Sequence, residues 1–158
     1  SLLGKYPNII ITRSFSKIYA LAGIRVGYGL ASKEIINKFN DIRQPFNVNY
    51  IAQRMAKESL SDDKYLKKSL DLNNIGMQFL KLEFDQLKIS YLKSSTNFIT
   101  FYLGNKTQQV YEMLLSEGVI LRSLENYGLP SYLRVTVGTK DENIMFIKKL
   151  KKSLKRIL

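Results

Sequence analysis

The sequence predicts an α/β fold: the end of a large domain with a mostly parallel sheet, followed by a small α/β domain. Three observations predict it. The run Asn8–Arg13 is continuously apolar and β-branched, which is typical of a buried strand in a parallel sheet. A long helical pattern follows Ser61-Asp62 and resembles a connector between two lobes. Short strand and helix patterns then alternate. We therefore place the domains at residues 1–60 and 61–158.

The first domain is predicted to hold two strands and two helices: strands Asn8–Arg13 and Arg25–Ala31, helices Lys33–Arg43 and Asn49–Leu60. Gly27 and Gly29 indicate a close backbone approach or a bend in the second strand. Ser32 is a suitable N-cap for the helix that follows it, and Pro45 ends that helix. These elements cannot close a core alone, so we expect a fragment that begins inside a larger domain.

The second domain begins with the long helix, which runs from its Ser61-Asp62 cap to about Leu87. Its apolar positions predict a core face made of Leu66, Leu70, Ile75, Phe79, Leu80, Leu82 and Leu87. The predicted order beyond it is strand, helix, strand, strand and helix: Asn97–Leu103, Thr107–Glu117, Val119–Arg122, Tyr132–Val137 and a last helix from about Asp141. Gly118 closes the middle helix.

Composition excludes several kinds of catalysis. The 158 residues contain no Cys, no His and no Trp. A disulfide framework, a zinc finger, a Cys nucleophile and a His general base are therefore impossible within them. Catalysis by these residues must depend on Lys, Tyr, Ser, Arg or carboxylates, and we expect no metal site.

The chain is strongly basic, with 25 Lys+Arg against 13 Asp+Glu and a formal charge of +12. Much of this charge lies in the tail from Lys148 to Arg156, where apolar residues recur at helical spacing. This pattern is typical of an amphipathic surface helix with a solvated basic face, which we favour over a nucleic-acid contact. No apolar run reaches the ~18 residues of a membrane span, and no signal peptide is evident. We expect a cytoplasmic protein.

Polar residues that can carry chemistry follow the first strand directly. Ser14-Phe15-Ser16-Lys17 stands where open α/β sheets place their ligands, and Arg25 follows eight residues after the lysine. A partly buried lysine amine can form a Schiff base, and serine hydroxyls with a guanidinium can bind a phosphate. A surface lysine in a turn is the alternative interpretation of Lys17.

The longer string from Ser14 to Tyr28, SFSKIYALAGIRVGY, resembles the cofactor-lysine segment of fold type I pyridoxal-phosphate-dependent aminotransferases. Within them it is most similar to the histidinol-phosphate aminotransferase family. The similarity continues in family order through further blocks: Arg43–Asn49, Ser95–Phe98, Gly118–Arg122, Leu133–Thr139 and Glu142-Asn143. The resemblance covers nearly the whole chain.

The resemblance implies a role for each matching residue. Lys17 would bind pyridoxal 5'-phosphate as a Schiff base and then move the substrate proton, while Ser14 and Arg25 anchor the cofactor phosphate. Ser16 is a secondary candidate for that phosphate. Arg134 would bind the substrate carboxylate and the substrate phosphate in turn, and Arg122 would lie near that phosphate.

Several alternatives remain open. Arg122 is either that ligand or a solvated arginine at a strand end. Asn47 and Asn49 line the site or cap the following helix, and Asn97 lines the site or begins a strand. Tyr19 and Tyr28 are expected to be packing residues. The substrates implied are small molecules, an amino acid and a phosphate ester.

Family features that would precede the lysine are missing from these residues: an aspartate for the pyridinium nitrogen, a stacked aromatic, and an asparagine and a tyrosine at the ring hydroxyl. We therefore expect an active-site half that is inactive alone, in a protein that forms a homodimer. A threonine-phosphate decarboxylase is the enzyme alternative. A basic interaction or nucleic-acid-binding domain is the other, and it would bind in a salt-dependent way without needing Lys17.

Overall fold

The computed structural model describes residues 2–157 of the chain. The six helices described are α1 Leu2–Lys5, α2 Lys33–Ile42, α3 Tyr50–Ser59, α4 Asp63–Gln86, α5 Thr107–Ser116 and α6 Lys140–Ile157. The five strands described are β1 Ile11–Ser14, β2 Gly27–Leu30, β3 Phe98–Tyr102, β4 Arg122–Ser123 and β5 Tyr132–Thr136. Two compact units divide between Leu70 and Asp71, inside α4. The predicted domain boundary between residues 60 and 61 stays a prediction. Within this described range, no helix is both long enough and apolar enough to cross a membrane.

The first unit contains a two-stranded antiparallel ribbon, in which Ile11 lies opposite Leu30 and Ser14 opposite Gly27. The second strand is confirmed, but the prediction that Asn8–Arg13 forms a buried strand is wrong for this chain. β1 starts at Ile11, and only Ile11 among its four residues is even half-buried. A continuous apolar run is buried when strands flank it and helices cover both faces. Among the described residues β1 has a single antiparallel neighbour.

Both helices predicted after β2 are confirmed, and each begins at a side-chain cap. Ser32 Oγ accepts the Ile35 N–H at 3.5 Å, and Asn49 Oδ1 accepts the Ala52 N–H at 2.8 Å. The buried apolar residues described in this unit are few: Phe15, Ala52 and Ala56. This small number agrees with the expectation that these elements do not close a core by themselves.

The second unit is an antiparallel sheet of order β3-β5-β4 packed against helices. Ile99 and Phe101 of β3 and Leu133 and Val135 of β5 point to one face, which is buried. The fully buried side chains of the core include Phe84, Leu80, Leu114, Val110 and Leu150, which the three helices contribute. The Phe84 ring lies 4.8 Å from the Phe101 ring, centroid to centroid. The small α/β layer predicted for this part is therefore present.

Helix α4 confirms the long predicted helix, and Asp62 Oδ1 caps it by accepting the Tyr65 N–H at 2.9 Å. Its predicted core face is partly wrong. Met77, Leu80 and Phe84, at spacing i, i+3 and i+7, face the core of the second unit.

The remaining predicted core positions of α4 differ in burial. Phe79 and Leu87 pack against the core only partly, and Leu66 is half-buried. Leu70, Ile75 and Leu82 are exposed. Ile75 and Leu82 lie on the side opposite Met77 and Phe84, because two residues along a helix rotate the side chain by about 200°.

The predicted strand Val119–Arg122 is also partly wrong, since β4 consists of Arg122 and Ser123 alone. Val119 and Leu121 are buried in the core without pairing in a strand. Val119, Ile120 and Leu121 form a short apolar run, and an irregular segment that crosses a core can contain such a run as well as a strand can. The closing glycine before this segment, Gly118, has φ +79°, as its predicted role requires.

The turn between β5 and α6 is held by two interlocking motifs. Thr139 and Glu142 form a capping box, in which Glu142 Oε2 accepts the Thr139 N–H at 2.7 Å and the Thr139 hydroxyl at 2.9 Å. These hydrogen bonds lower the pKa of Glu142, the backbone one most. The buried Asn143 side chain accepts the Gly138 N–H and donates to the Gly138 carbonyl, both at 3.0 Å.

Asn143→Ala is expected to destabilise the second unit by about 1–3 kcal/mol, because it removes a buried side chain that pairs with both backbone groups of the half-buried Gly138. Urea unfolding followed by circular dichroism would measure the loss. Asn74→Ala, at an exposed position of α4, is the matched control and should change the free energy of unfolding by less than about 0.5 kcal/mol. Equal effects of both variants would contradict the structural role of Asn143.

Helix α6 confirms the predicted amphipathic tail, with Phe146, Ile147 and Leu150 buried in the core. Part of its basic face is engaged in ion pairs. Lys152 Nζ lies 2.7 Å from Glu117 Oε1, and Lys151 Nζ lies 2.5 Å from Glu83 Oε2. The hydrogen bond from Lys152 is the main reason that the pKa of Glu117 is lowered, and nearby cations add to it.

Glu117→Gln is expected to lower the melting temperature near neutral pH, because it removes a carboxylate that α6 cations stabilise. A lowered pKa in the folded state stabilises the protein above the ordinary carboxyl pKa of about 4.3 and loses this effect as pH falls below it. The difference in melting temperature between wild type and variant should therefore close between about pH 5 and pH 3.

The matched control is Glu112→Gln on the same helix. Glu112 accepts a hydrogen bond from Gln108 at 2.7 Å and pairs with no Lys or Arg in the described part of the chain. Its variant should keep a melting temperature close to that of wild type near neutral pH. A Glu117→Gln difference that persists unchanged at low pH would contradict the assignment to the ion pair.

Candidate active site

The serine-lysine segment forms a tight turn at the end of β1. The Ser16 N–H donates to Ser14 Oγ at 3.0 Å, and the Ala20 N–H donates to the Lys17 carbonyl at 2.9 Å. Phe15 lies between the two serines and is only 3% exposed. Because the Phe15 ring is buried, the neighbouring Ser14 and Lys17 lie at the surface, where their side chains can meet a ligand.

Phe15 is anchored by two tyrosines. Its ring centroid lies 5.0 Å from that of Tyr19 and 5.6 Å from that of Tyr28. Pairs of this geometry stabilise packing beyond their buried area. The expectation that Tyr19 and Tyr28 are packing residues agrees with these contacts.

Arg25 reaches the same end of the ribbon through strand pairing. Since Ser14 pairs with Gly27 and the Phe15 N–H donates to the Val26 carbonyl, Arg25 lies two residues from the partner of Ser14. A Cβ on Gly27 would lie 2.7 Å from the Arg13 carbonyl oxygen, which confirms the predicted close backbone approach there. At Gly29 a Cβ would meet nothing within 4 Å, so of the two predicted alternatives the close backbone approach is not present there.

The backbone of Arg25 is in the left-handed region, with φ 62° and ψ 55°. A residue other than glycine in this conformation is strained, and such strain is common at ligand sites. Arg25 Nη1 donates to the Ala22 carbonyl at 2.5 Å. This hydrogen bond fixes one side of the guanidinium and leaves its other N–H donors for an anion.

Lys17 is exposed in the turn after β1, which agrees with the alternative interpretation of a surface lysine and not with partial burial of its amine. Lys17 lies three residues after the end of β1, and among residues 2–70 its side chain is left uncovered. The donors at this end of the ribbon nevertheless fit a phosphorylated aldehyde such as pyridoxal phosphate. They are one primary amine, the hydroxyls of Ser14 and Ser16, and the Arg25 guanidinium.

The second unit holds the two other predicted arginines, and strand pairing brings them together. Arg122 of β4 lies directly opposite Arg134 of β5, and Thr100 of β3 lies opposite Arg134 on the other side. Directly opposite residues of a sheet share one face, with Cβ atoms about 5 Å apart. Arg122 and Arg134 therefore stand side by side, on the sheet face away from the core.

This arginine pair carries an electrostatic cost in the unliganded chain. Like charges directly opposite each other destabilise a sheet. Among residues 2–157, neither guanidinium has a carboxylate within salt-bridge distance. Two adjacent, uncompensated guanidiniums are a suitable site for a carboxylate or a phosphate.

Each arginine of the pair also touches an aromatic ring. The Arg134 guanidinium lies 4.5 Å from the centroid of Phe98. Arg122 lies 5.7 Å from the centroid of Tyr127, and its Nη2 donates to the Tyr127 hydroxyl at 3.2 Å. Sequence reasoning missed both contacts. Alternation along β3 could have indicated Phe98, which is two residues from Thr100, but no pattern marks Tyr127.

The asparagines divide between the two roles left open. Asn49 caps α3, as described above, whereas Asn47 does not cap it and instead accepts a hydrogen bond from Arg43 Nη1 at 3.5 Å. Asn47 thus stays a candidate for the site. The Asn97 carbonyl accepts the Val137 N–H at 2.8 Å, which extends the β3-β5 pairing by one position. This agrees with the strand-entry interpretation of Asn97.

Known proteins resemble this chain over nearly its whole length. Histidinol-phosphate aminotransferase 2 from Pseudomonas fluorescens (strain Pf0-1) is 46% identical over 154 residues, which cover 98% of this chain and 42% of the relative. The crystal structure of the histidinol-phosphate aminotransferase from Clostridium acetobutylicum has a TM-score of 0.91 at 28% identity, covering 99% of this chain and 48% of that one. The Sinorhizobium meliloti histidinol-phosphate aminotransferase, solved in complex with pyridoxal-5'-phosphate, has a TM-score of 0.83 at 27% identity, covering 96% and 42%.

The α/β fold that carries these residues is thus shared with solved histidinol-phosphate aminotransferases. The family model described as aminotransferase class I and II matches residues 1–150, and the chain belongs to this family. The predicted fold class is confirmed by the shared fold. The chain spans less than half the length of these relatives.

Proposed function

We propose that this chain supplies the cofactor lysine and the substrate arginines of a pyridoxal-phosphate-dependent aminotransferase that moves an amino group between L-histidinol phosphate and 2-oxoglutarate, in histidine biosynthesis. The observation that carries the proposal is the cross-strand pair Arg122 and Arg134, which no carboxylate compensates among the described residues. The names of the relatives support the choice of substrate.

The first unit would hold the cofactor. Lys17 Nζ is its covalent attachment point, and Ser14 Oγ and the Arg25 guanidinium hold its phosphate, with Ser16 as a further donor. When bound, pyridoxal phosphate supplies an electron sink for the charge that develops at the substrate α-carbon. Lys17 Nζ, once free, would take the proton from the substrate α-carbon and deliver it to the cofactor's C4′ carbon. A lysine suits this role in a chain that contains no His.

The second unit would hold the substrate. One guanidinium can bind a carboxylate and a phosphate by the same pair of N–H donors, so Arg134 can serve glutamate in one half-reaction and the phosphate ester in the other. Arg122, beside it, adds a second positive charge for the phosphate dianion. Asn47 is a further candidate for substrate contact.

Family membership also supports proposals on the oligomeric state and the cellular location of the protein. We propose a cytoplasmic homodimer that acts on small molecules and has no nucleic-acid or membrane partner. We also propose that these 158 residues do not sustain turnover alone, because residues for the pyridinium nitrogen and ring hydroxyl are not among them.

The test uses the natural polypeptide that contains these residues, purified with its cofactor. Incubation with L-histidinol phosphate and 2-oxoglutarate should form glutamate, and glutamate formation should depend on both substrates. O-phospho-L-threonine is the control substrate. Release of carbon dioxide from it, without glutamate formation from histidinol phosphate, would replace the proposal with a decarboxylase. Binding of nucleic acid that weakens steeply with salt, with neither reaction, would favour an interaction domain.

A further inference from the structure

Tyr127 makes the most specific contact with the arginine pair. Phe98 meets Arg134 only through its ring, and within residues 2–157 no acceptor is hydrogen-bonded to that guanidinium. Tyr127 instead accepts a hydrogen bond from Arg122 Nη2 through its hydroxyl, and its ring also lies against the guanidinium. Two interactions of different kinds therefore fix the direction of one flexible side chain.

The backbone that carries Tyr127 is itself well held. It ends a 3-10 turn, Glu125–Tyr127, whose N-cap Leu124 is buried in the unit. The Tyr127 and Leu129 N–H groups both donate to the Leu124 carbonyl, at 2.9 and 3.1 Å. Gly128 follows with φ +74°, which a glycine adopts without strain. The backbone that carries the Tyr127 hydroxyl is thus held by hydrogen bonds to the buried Leu124.

The Tyr127 ring does not serve the core. It is 62% exposed, and its described contacts are with Arg122. Arg122 is exposed as well, on a strand of two residues, and would otherwise move freely away from the like charge of Arg134. Tyr127 holds it beside that charge.

We propose that Tyr127 is a positioning residue that fixes Arg122 for the phosphate end of the substrate and so sets the preference for phosphorylated over unphosphorylated substrate. The inference rests on the proposed function, because Arg122 acts there on the phosphate. It adds a residue that touches no substrate and acts through the guanidinium. Arg134, which contacts Phe98 on the neighbouring strand, keeps its role for both the carboxylate and the phosphate ester.

Three variants of the cofactor-loaded natural polypeptide test this. Tyr127→Phe keeps the ring and removes the hydroxyl, and Tyr127→Leu removes both contacts. Tyr102→Phe is the matched control: Tyr102 is an exposed tyrosine on the same sheet face that packs on Tyr132, 5.1 Å between ring centroids, and contacts neither arginine among the described pairs. None of these exposed hydroxyls is needed for folding, so all three variants should remain folded.

Tyr127→Phe should raise KM for L-histidinol phosphate about fivefold with little change in kcat, and Tyr127→Leu should raise it about tenfold or more. KM for glutamate should not change in either variant. The ratio of kcat/KM for histidinol phosphate to that for histidinol should fall by the same factor, and Tyr102→Phe should match wild type. In an Arg122→Ala background, Tyr127→Phe should have no further effect.

An unchanged KM for the phosphate ester in Tyr127→Leu, or equal losses for glutamate and the phosphate ester, would overturn the inference. A second readout keeps it separate from the proposed function. Inorganic phosphate should raise the melting temperature of wild type more than that of Tyr127→Phe. If wild type is inactive on histidinol phosphate but shows this difference in melting temperature, the proposed substrate is disproved and the positioning role of Tyr127 is retained. If phosphate raises both melting temperatures equally, the positioning role is disproved.

Discussion

Lys17→Ala is expected to abolish both transamination and the covalent attachment of pyridoxal phosphate to the natural polypeptide. The variant loses the only amine that the family resemblance assigns to the cofactor, and it also loses the base for the α-proton. Removal of a nucleophile together with a general base should lower kcat by at least about 10⁴-fold. Borohydride reduction followed by peptide mass mapping would show the attachment on Lys17 in wild type and its absence in the variant.

The matched control is Lys33→Ala, which removes an exposed lysine from the start of α2 in the same unit. It should keep both activity and the labelled Lys17 peptide. Lys17→Arg preserves the positive charge and should be as inactive as the alanine variant, because a guanidinium does not form the attachment at neutral pH. A reducible cofactor bond of normal yield in Lys17→Ala, or label scattered over the basic tail, would disprove the cofactor assignment.

Arg134→Ala is expected to lower kcat/KM about 100- to 1,000-fold for both glutamate and L-histidinol phosphate, because both anions lose a bidentate, charge-assisted contact. The cofactor should still attach to Lys17, which belongs to the other unit. Steady-state kinetics with each substrate, together with the absorption spectrum of the bound cofactor, would separate substrate binding from cofactor binding.

Folding should not suffer in Arg134→Ala, since the side chain forms no ion pair in the described residues and lies opposite the like charge of Arg122. The melting temperature is therefore the internal control. Arg134→Lys keeps the charge but loses the planar pair of donors, and it should recover only part of the activity. Glutamate kinetics equal to wild type in Arg134→Ala would refute the assigned role.

Lys17 and Arg134 differ in how much of their surroundings the sequence could predict. Residues from Ser14 to Arg25 were identifiable because the string from Ser14 to Tyr28 resembles the cofactor-lysine segment of aminotransferases. The structure has a turn at Ser16, and Tyr19 and Tyr28 pack on Phe15 as expected from the sequence. A surface position for Lys17 was one of two interpretations, and only the tertiary structure decided between them, because burial depends on what covers a strand rather than on the strand's own residues.

The sequence could not predict that Arg122 and Arg134 form a pair. Arg122 and Arg134 each belonged to a recognisable block, but nothing in their separation of twelve positions placed them opposite each other. Their juxtaposition follows from the register of β4 on β5, and the register follows from burial of Leu133 and Val135 in the core. Tyr127 could be assigned a purpose only after this register was known.

By itself, the sequence determined the family, the order of most helices and strands, and the chemistry available: an amine, hydroxyls and guanidiniums, with no thiol or imidazole. These properties depend on residue identity and on contacts between near neighbours, such as the Ser32, Asn49 and Thr139-Glu142 caps. Only the tertiary structure decided which face of α4 is buried, how short β4 is and which side chains meet across the sheet. Those properties depend on contacts between residues distant in the chain, whose pairing is selected by the packing of the whole core.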